Sequence, residues 1–156
     1  MTTVVSRSME VVVFRLLKDR PEYLVLQRSR EERVHPCMWQ IITGIIEEGE
    51  SAAAAAIREV GEEAGLRPLR MWNVPLVNSF YDATRDTVNM CPVFAVQVSP
   101  DARVALSEEH MAYQWFSKPQ AWTTLVWPAH RESLDVVEQY ILRGSEAADR
   151  LELKLP

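Results

Sequence analysis

The stretch over residues 44–66, GIIEEGESAAAAAIREVGEEAGL, constrains this chain more than any other part of it. A glycine-containing acidic turn leads into an alanine-rich segment, and alanine is the best helix former. Ser51 can cap the start of that helix, and Gly65 can end it in a left-handed conformation that glycine adopts at little cost. The sequence therefore predicts a helix over residues 52–64.

Three glutamates crowd one side of the predicted helix. With about 100° between successive residues, Glu59, Glu62 and Glu63 fall within an arc of about 100° that lies largely opposite the apolar residues. Like charges at this spacing repel each other, so a helix built only for stability would avoid the arrangement. Clustered carboxylates without nearby Cys or His suit a hard cation such as Mg²⁺, for which Mn²⁺ is an acceptable substitute. The cluster therefore indicates a metal site.

The same stretch carries a recognisable motif. Arg58 lies at helical spacing from Glu62 and can reach back to Glu50, so we expect it to orient the acidic residues. The stretch matches every specified position of the Nudix box, G-x5-E-x7-R-E-U-x-E-E-x-G-U, in which U is aliphatic. The matching residues are Gly44, Glu50, Arg58, Glu59, Val60, Glu62, Glu63, Gly65 and Leu66. The chain therefore resembles the Nudix hydrolases, and the resemblance implies an α/β fold, an α/β/α sandwich with a central mixed β-sheet.

The resemblance also implies a role for each charged position. Glu59 and Glu63 would hold a catalytic Mg²⁺, and Glu62 would be a further ligand or would assist the attacking water. Arg58 would orient this catalytic set. Outside the box, Glu109 would supply an additional metal-binding carboxylate.

Other segments resemble one branch of that family, the bacterial dATP and dihydroneopterin triphosphate pyrophosphohydrolases. These segments are LQRS around Arg28, WQIITG from Trp39, EEGES from Glu47, ATRDT from Ala83, EEHMAYQWF from Glu108, and the pattern of residues 127–142. Arg28 and Thr43 would face the substrate, and Trp39 would either touch a base or pack. Gly44 suits a backbone that must approach a metal or phosphate closely.

The implied reaction is Mg²⁺-dependent hydrolysis of a dATP-like nucleoside triphosphate, or of a related nucleoside diphosphate-linked compound, to a monophosphate and pyrophosphate. Two alternatives stay open. One is a hydrolase of dinucleoside polyphosphates or nucleotide sugars. The other is a non-catalytic nucleotide-sensing domain on the same fold, against which the complete acidic set argues.

Composition limits the partners. The net charge of -5 argues against binding to a nucleic acid polymer or an acidic membrane, whereas a small nucleotide held through a metal remains compatible. No stretch reaches the roughly 18 apolar residues of a membrane span. Cys37 and Cys91 lack paired spacing, so we expect reduced thiols and a cytoplasmic protein. The oligomeric state stays open, and a homodimer is compatible with the sequence.

The remaining pattern predicts one domain over residues 1–156. Predicted strands cover residues 9–17, 23–27, 39–43, 70–80, 88–98 and 107–116, and predicted helices cover residues 118–125 and 130–142. Pro75 indicates a bulge or an edge, and the residues from Gly144 onward read as a loosely held end. On an extended strand, Glu108 and Glu109 would point in opposite directions, so only one of them can face the metal.

Overall fold

The computed structural model describes all residues from 1 to 156. The strands are β1 (Thr3–Val5), β2 (Ser8–Leu17), β3 (Arg20–Arg28), β4 (Trp39–Gln40), β5 (Ile42–Ile45), β6 (Arg70–Asp82), β7 (Thr87–Gln97), β8 (His110–Phe116) and β9 (Glu152–Leu153). The helices are α1 (Ala52–Ala64), α2 (Lys118–Thr124), α3 (Pro128–Val137) and α4 (Glu146–Leu151), and a π-helical turn over Glu138–Leu142 extends α3.

All strands join one mixed sheet. Its main path runs β4-β3-β2-β7-β6-β9, while β5 pairs with β2, β8 pairs with β3 and β1 pairs with β7. The β2–β7 and β1–β7 pairs are parallel, and the other pairs are antiparallel. Strands β2 and β3 form an antiparallel hairpin, and the register of the β6–β7 pair shifts between Asn73 and Val77, around Pro75.

Helices cover both faces of this sheet. The apolar side of α1 packs on one face, against Met9, Val11 and Val13 of β2. On the other face, α2 and α3 pack against Val12 and Phe14 of the same strand. A strand buried on both faces is apolar at successive positions, which explains the valine run of β2. The predicted α/β/α sandwich is confirmed.

Both predicted ends of α1 are confirmed. The Ser51 side chain accepts a hydrogen bond from the Ala54 amide at 3.2 Å, and Gly65 adopts a φ of 65°. The Gly65 amide donates to the Gly61 carbonyl at 2.9 Å, which closes the last turn. These caps fix where the helix begins and ends, and the packing of its apolar side on the sheet sets the direction of its glutamates.

The prediction of a loose tail after Gly144 is wrong. These residues form α4 and β9, and β9 pairs with the edge of β6. Arg70 holds Glu152 through two hydrogen bonds of 2.7 and 2.8 Å, and Leu153 packs against the core beneath α1. A strand of two residues is too short to be recognised by alternation, so only its partners reveal it.

Strand β8 covers the alternating part of the predicted segment 107–116, HMAYQWF, and the acidic start of that segment lies outside it. Residues 107–110 form a turn in which the His110 amide donates to the Ser107 carbonyl at 3.3 Å. The register between β3 and β8 shifts next to this turn: Gln27 pairs with Ala112, whereas Arg28 pairs with His110. The shift carries His110 onto the face of the sheet that α1 covers.

Two glycines of one helix give a matched test of this geometry. At Gly65, with its positive φ, an added Cβ would lie 2.9 Å from the Ala105 Cβ, whereas at Gly61 it would meet nothing within 4 Å. Gly65→Ala should therefore lower the free energy of unfolding by at least about 1–2 kcal/mol. Gly61→Ala should raise it by about 0.5–1 kcal/mol. Denaturant unfolding measures both values, and equal effects would contradict the assigned end of the helix.

Candidate active site

The most unusual group near α1 is the carboxyl group of Glu63. This side chain is buried, with a residue exposure of 4%, and its Oε2 atom has no hydrogen-bond partner. Burial, together with the charges of Glu59 and Glu109, raises the pKa of Glu63 to about 9, against an opposing effect of Arg28. A buried, unpartnered carboxyl group is costly to ionise, so Glu63 suits a site that a cation completes.

Arg58 holds the acidic residues around it. Its guanidinium donates to Glu50 at 3.0 Å through two nitrogens, to Glu59 at 2.8 Å and to Glu62 at 3.1 Å. A further bond of 2.9 Å reaches the Ile45 carbonyl. The expected contact between Arg58 and Glu50 is therefore present, and it fastens the turn before α1 to the helix itself.

Gly44 allows β5 to approach α1 closely. A Cβ atom at this position would clash with the carboxyl group of Glu59, so only glycine allows that group to stay where it is. Burial raises the pKa of Glu59, and its bond with Arg58 opposes the effect. The sequence predicted close approach at Gly44 by a metal or phosphate; in the structure the neighbour is a glutamate side chain.

Glu109 reaches the cluster from outside the helix. It lies in the turn between Ser107 and His110, so the expectation that Glu108 and Glu109 alternate along an extended strand is wrong. Of these two acids, Glu109 is the one whose charge raises the pKa of both Glu59 and Glu63. The structure therefore brings Glu109 close to the carboxylates of α1.

The remaining predicted residues divide between the two faces. Arg28 lies on the face of α1, where its guanidinium donates to the Val34 carbonyl and to Glu32, each at 2.9 Å. Trp39 packs edge-on against Phe116, in the core beneath α2 and α3. Neighbouring strand residues alternate, so Thr43 also points away from the face to which Gly44 and Glu59 belong. The structure therefore does not bring Trp39 and Thr43 beside the carboxylates.

Two groups near Glu63 were missed from the sequence. Ser107 and His110 carry buried side-chain atoms without hydrogen-bond partners, and burial together with the Arg28 charge lowers the pKa of His110 to about 4. Alternation along β8 would place His110 with Ala112 and Gln114, away from α1. The register shift beside Arg28 turns His110 toward α1 instead, and no residue type in the segment predicts that shift.

A second polar group, on the face of α2 and α3, was also missed. Asn78 donates to Glu10 and, at 3.0 Å, to Ser133, while His130 Nε2 lies 3.5 Å from Glu10. All four side chains are buried. Glu10 lies within an apolar strand, and the only signal for it in the sequence is a charged residue between Met9 and the valine run.

The donor set fits a hard divalent cation. As the side chains stand, no three acidic, histidine or cysteine groups surround one point at coordinating distance. Arg58 instead holds the carboxyl groups of Glu59 and Glu62 through hydrogen bonds. The free Oε2 atom of Glu63 and the carboxylates around it match the preference of Mg²⁺ and Mn²⁺ for oxygen ligands.

Comparison with known proteins identifies the family. A NUDIX domain model matches residues 7–137. The chain belongs to the Nudix family. This Nudix chain is 40% identical over 135 positions to an octanoyltransferase of Myxococcus xanthus. The aligned region covers 81% of this chain and 36% of that protein. The chain thus spans about a third of that relative's length.

Two further proteins match almost end to end. A dihydroneopterin triphosphate diphosphatase of Escherichia coli is 28% identical over 157 positions, which covers 91% of this chain and 97% of that protein. The crystal structure of a C. elegans Ap4A hydrolase in a binary complex superposes with a TM-score of 0.74 at 22% identity. The superposition covers 90% of this chain and all of that one, and it shows that the two share a fold.

Family membership confirms the predicted enzyme class, a pyrophosphohydrolase acting on phosphoric anhydride bonds. Nudix enzymes generally use divalent metal ions and act on small nucleotide compounds. None of the helices is long and apolar enough to cross a membrane. Cys37 and Cys91 are both free thiols, as expected.

Glu63→Gln tests the buried carboxyl group without metal. The pKa of Glu63 is about 9 in the folded chain, against an ordinary value of 4.5. Between these values the unfolded chain releases a proton that the folded chain keeps, so the stability of the parent falls as the pH rises. The amide does not titrate. Between pH 5 and pH 9, in chelator, the variant should therefore gain at least about 1 kcal/mol relative to the parent.

Denaturant unfolding of both proteins at the two pH values measures this gain. Glu62→Gln is the matched control, because Glu62 is exposed on the same helix. A stability difference between Glu63→Gln and the parent that stays constant with pH would show that Glu63 is already ionised in the folded chain.

Proposed function

We propose that this chain hydrolyses a dATP-like nucleoside triphosphate, or a related nucleoside diphosphate-linked compound, to a monophosphate and pyrophosphate, with Mg²⁺ as the preferred cofactor. The observation that carries this proposal is the unpartnered carboxyl group of Glu63 in a complete Nudix box, with Glu59 of the box and Glu109 from outside it close enough to raise its pKa. The nearly full-length similarity to the E. coli diphosphatase supports a triphosphate substrate.

In this proposal Glu59, Glu63 and Glu109 bind the cation, and Glu62 is a further ligand or accepts a proton from the attacking water. When bound, the cation neutralises phosphate charge and makes the attacking water more acidic. Water adds to phosphorus, the anhydride P–O bond breaks, and pyrophosphate leaves with the bonding electrons. Arg58 releases Glu59 and Glu62 to the cation while it keeps Glu50 fixed.

Arg28 is proposed to bind phosphate, because a guanidinium can donate two hydrogen bonds to one phosphate group. It lies close enough to Glu63 for its charge to lower the pKa of that group. Gly44 lets the carboxyl group of Glu59 lie against the backbone of β5. Trp39 and Thr43 lie on the other face, so we propose that they contribute to the nucleoside end of the substrate and not to the metal.

The finer alternatives differ in what supports them. A dinucleoside polyphosphate substrate rests on a shared fold alone, because the Ap4A hydrolase is only 22% identical. The acyl transfer implied by the name of the Myxococcus xanthus relative carries no weight here, since the match covers 36% of that protein. That residues 1–156 form one domain is supported by the single sheet, whereas the cytoplasmic location and the oligomeric state stay predictions.

A panel of substrates with product identification tests the proposal. Deoxynucleoside triphosphates, dihydroneopterin triphosphate, dinucleoside polyphosphates and nucleotide sugars are incubated with Mg²⁺, with Mn²⁺ or with EDTA. We expect a monophosphate and pyrophosphate from a triphosphate, activity that rises toward alkaline pH because the carboxylates must ionise, and none in EDTA. Turnover in chelator would contradict the metal site, and preferential cleavage of dinucleoside polyphosphates would favour the alternative.

A comparison of Glu109→Gln with Glu108→Gln tests the ligand from outside the box. The first variant should lower turnover at least about tenfold and require more Mg²⁺, because a charge that faces the cation is lost. The second should behave like the parent, and both should melt within a few degrees of it, since both residues are exposed. Equal effects of the two substitutions on turnover would remove Glu109 from the proposed ligand set.

A further inference from the structure

His110 is an anomaly of the α1 face. Its exposure is 5%, and neither Nδ1 nor Nε2 has a hydrogen-bond partner. A neutral imidazole carries one donor and one acceptor, and buried polar groups are normally hydrogen-bonded. A histidine that only filled the core here would leave both groups unsatisfied. His130 differs in one of its two nitrogens: its Nδ1 atom also has no partner, but its Nε2 atom lies 3.5 Å from a carboxylate oxygen of Glu10.

The backbone ties His110 to the site. The Ser107 amide donates to the Glu63 carbonyl at 3.2 Å, and the His110 amide donates to the Ser107 carbonyl at 3.3 Å. On the other side, the Ser29 amide donates to the Glu109 carbonyl at 2.8 Å. The turn that carries Glu109 is thus bonded both to the end of α1 and to the residue after β3.

The register shift in β8 determines where the imidazole goes. Because His110 pairs with Arg28, the two side chains lie on the same face of the sheet, toward α1. The Arg28 charge affects the pKa of both His110 and Glu63, so Arg28 lies near each of these two groups. Ser107, at the other end of the turn, also has a buried hydroxyl without a partner.

We propose that His110 is a positioning residue of the hydrolytic site, whose ring, together with the Ser107 hydroxyl, hydrogen-bonds the buried carboxylate of Glu63 when a divalent cation is bound. The inference rests on the proposed metal site. Carboxylates that bind metals are themselves held by hydrogen bonds, and the partners that hold them affect metal affinity. His110 and Ser107 carry the unused hydrogen-bonding groups of the turn beside Glu63.

The test compares His110→Leu, which removes both ring nitrogens, with His110→Asn, which keeps a donor and an acceptor. Isothermal titration with Mn²⁺ measures the Kd without substrate, and melting in EDTA measures stability. We expect His110→Leu to raise the Kd at least about tenfold while its Tm in EDTA stays at or above that of the parent. His110→Asn should restore the Kd to within about threefold.

Two further variants keep the result interpretable. His130→Leu removes a buried histidine from the opposite face and should leave the Kd for Mn²⁺ unchanged. Ser107→Ala should raise the Kd, in the same direction as His110→Leu, and it provides a small change if His110→Leu does not fold. An unchanged Kd in His110→Leu and Ser107→Ala, or an equal loss in the Leu and Asn variants, would overturn the proposal.

The Kd values also separate this inference from the proposed function. If the parent binds Mn²⁺ but hydrolyses none of the nucleotides, the proposed substrate is wrong while the role of His110 is still measured. If the parent binds and hydrolyses but His110→Leu has the Kd of the parent, His110 belongs to the core only and the inference is wrong.

Discussion

The arrangement of this site depends on one constraint: several carboxylates surround a carboxyl group that is itself buried. Glu63 is enclosed by the core beneath α1, and the acids around it are Glu59, Glu62 and Glu109. Ionising such a group without a partner is unfavourable by several kcal/mol in general. The ionised form of Glu63 therefore needs a positive charge close to it. A small divalent cation supplies that charge better than the guanidinium of Arg58, which bonds the outer carboxylates.

Arg58 supplies positive charge to some of these carboxylates. Arg58 neutralises Glu59 and Glu62 and anchors them to Glu50, so the outer carboxylates are paired while the innermost one is not. Gly44 makes this arrangement fit sterically, because any side chain there would displace Glu59. Arg58 therefore holds the outer carboxylates at the edge of the site, and in the proposed function the innermost one, Glu63, binds the cation.

Local signals in the sequence predicted the parts of the molecule that local chemistry determines. The limits of α1 follow from Ser51 and Gly65, and the crowding of glutamates follows from helical spacing. The sandwich followed from the Nudix box and the apolar strands. Residues whose position depends on strand register were missed: His110 reaches the α1 face through one register shift, and β9 is visible only through its partner β6. The turn at Glu109 likewise replaced an expected strand, although the residue still lies near the acids of α1.

The most direct measurement of the central claim is the number of protons released when Mn²⁺ or Mg²⁺ binds. A carboxyl group with a pKa of about 9 is protonated at pH 7, so a cation that binds Glu63 must displace that proton. Calorimetric titrations in buffers of different ionisation enthalpy give the proton count. The account predicts release of about one proton per chain in the parent at pH 7 and almost none in Glu63→Gln. Binding without proton release in the parent, or equal release in both proteins, would contradict it.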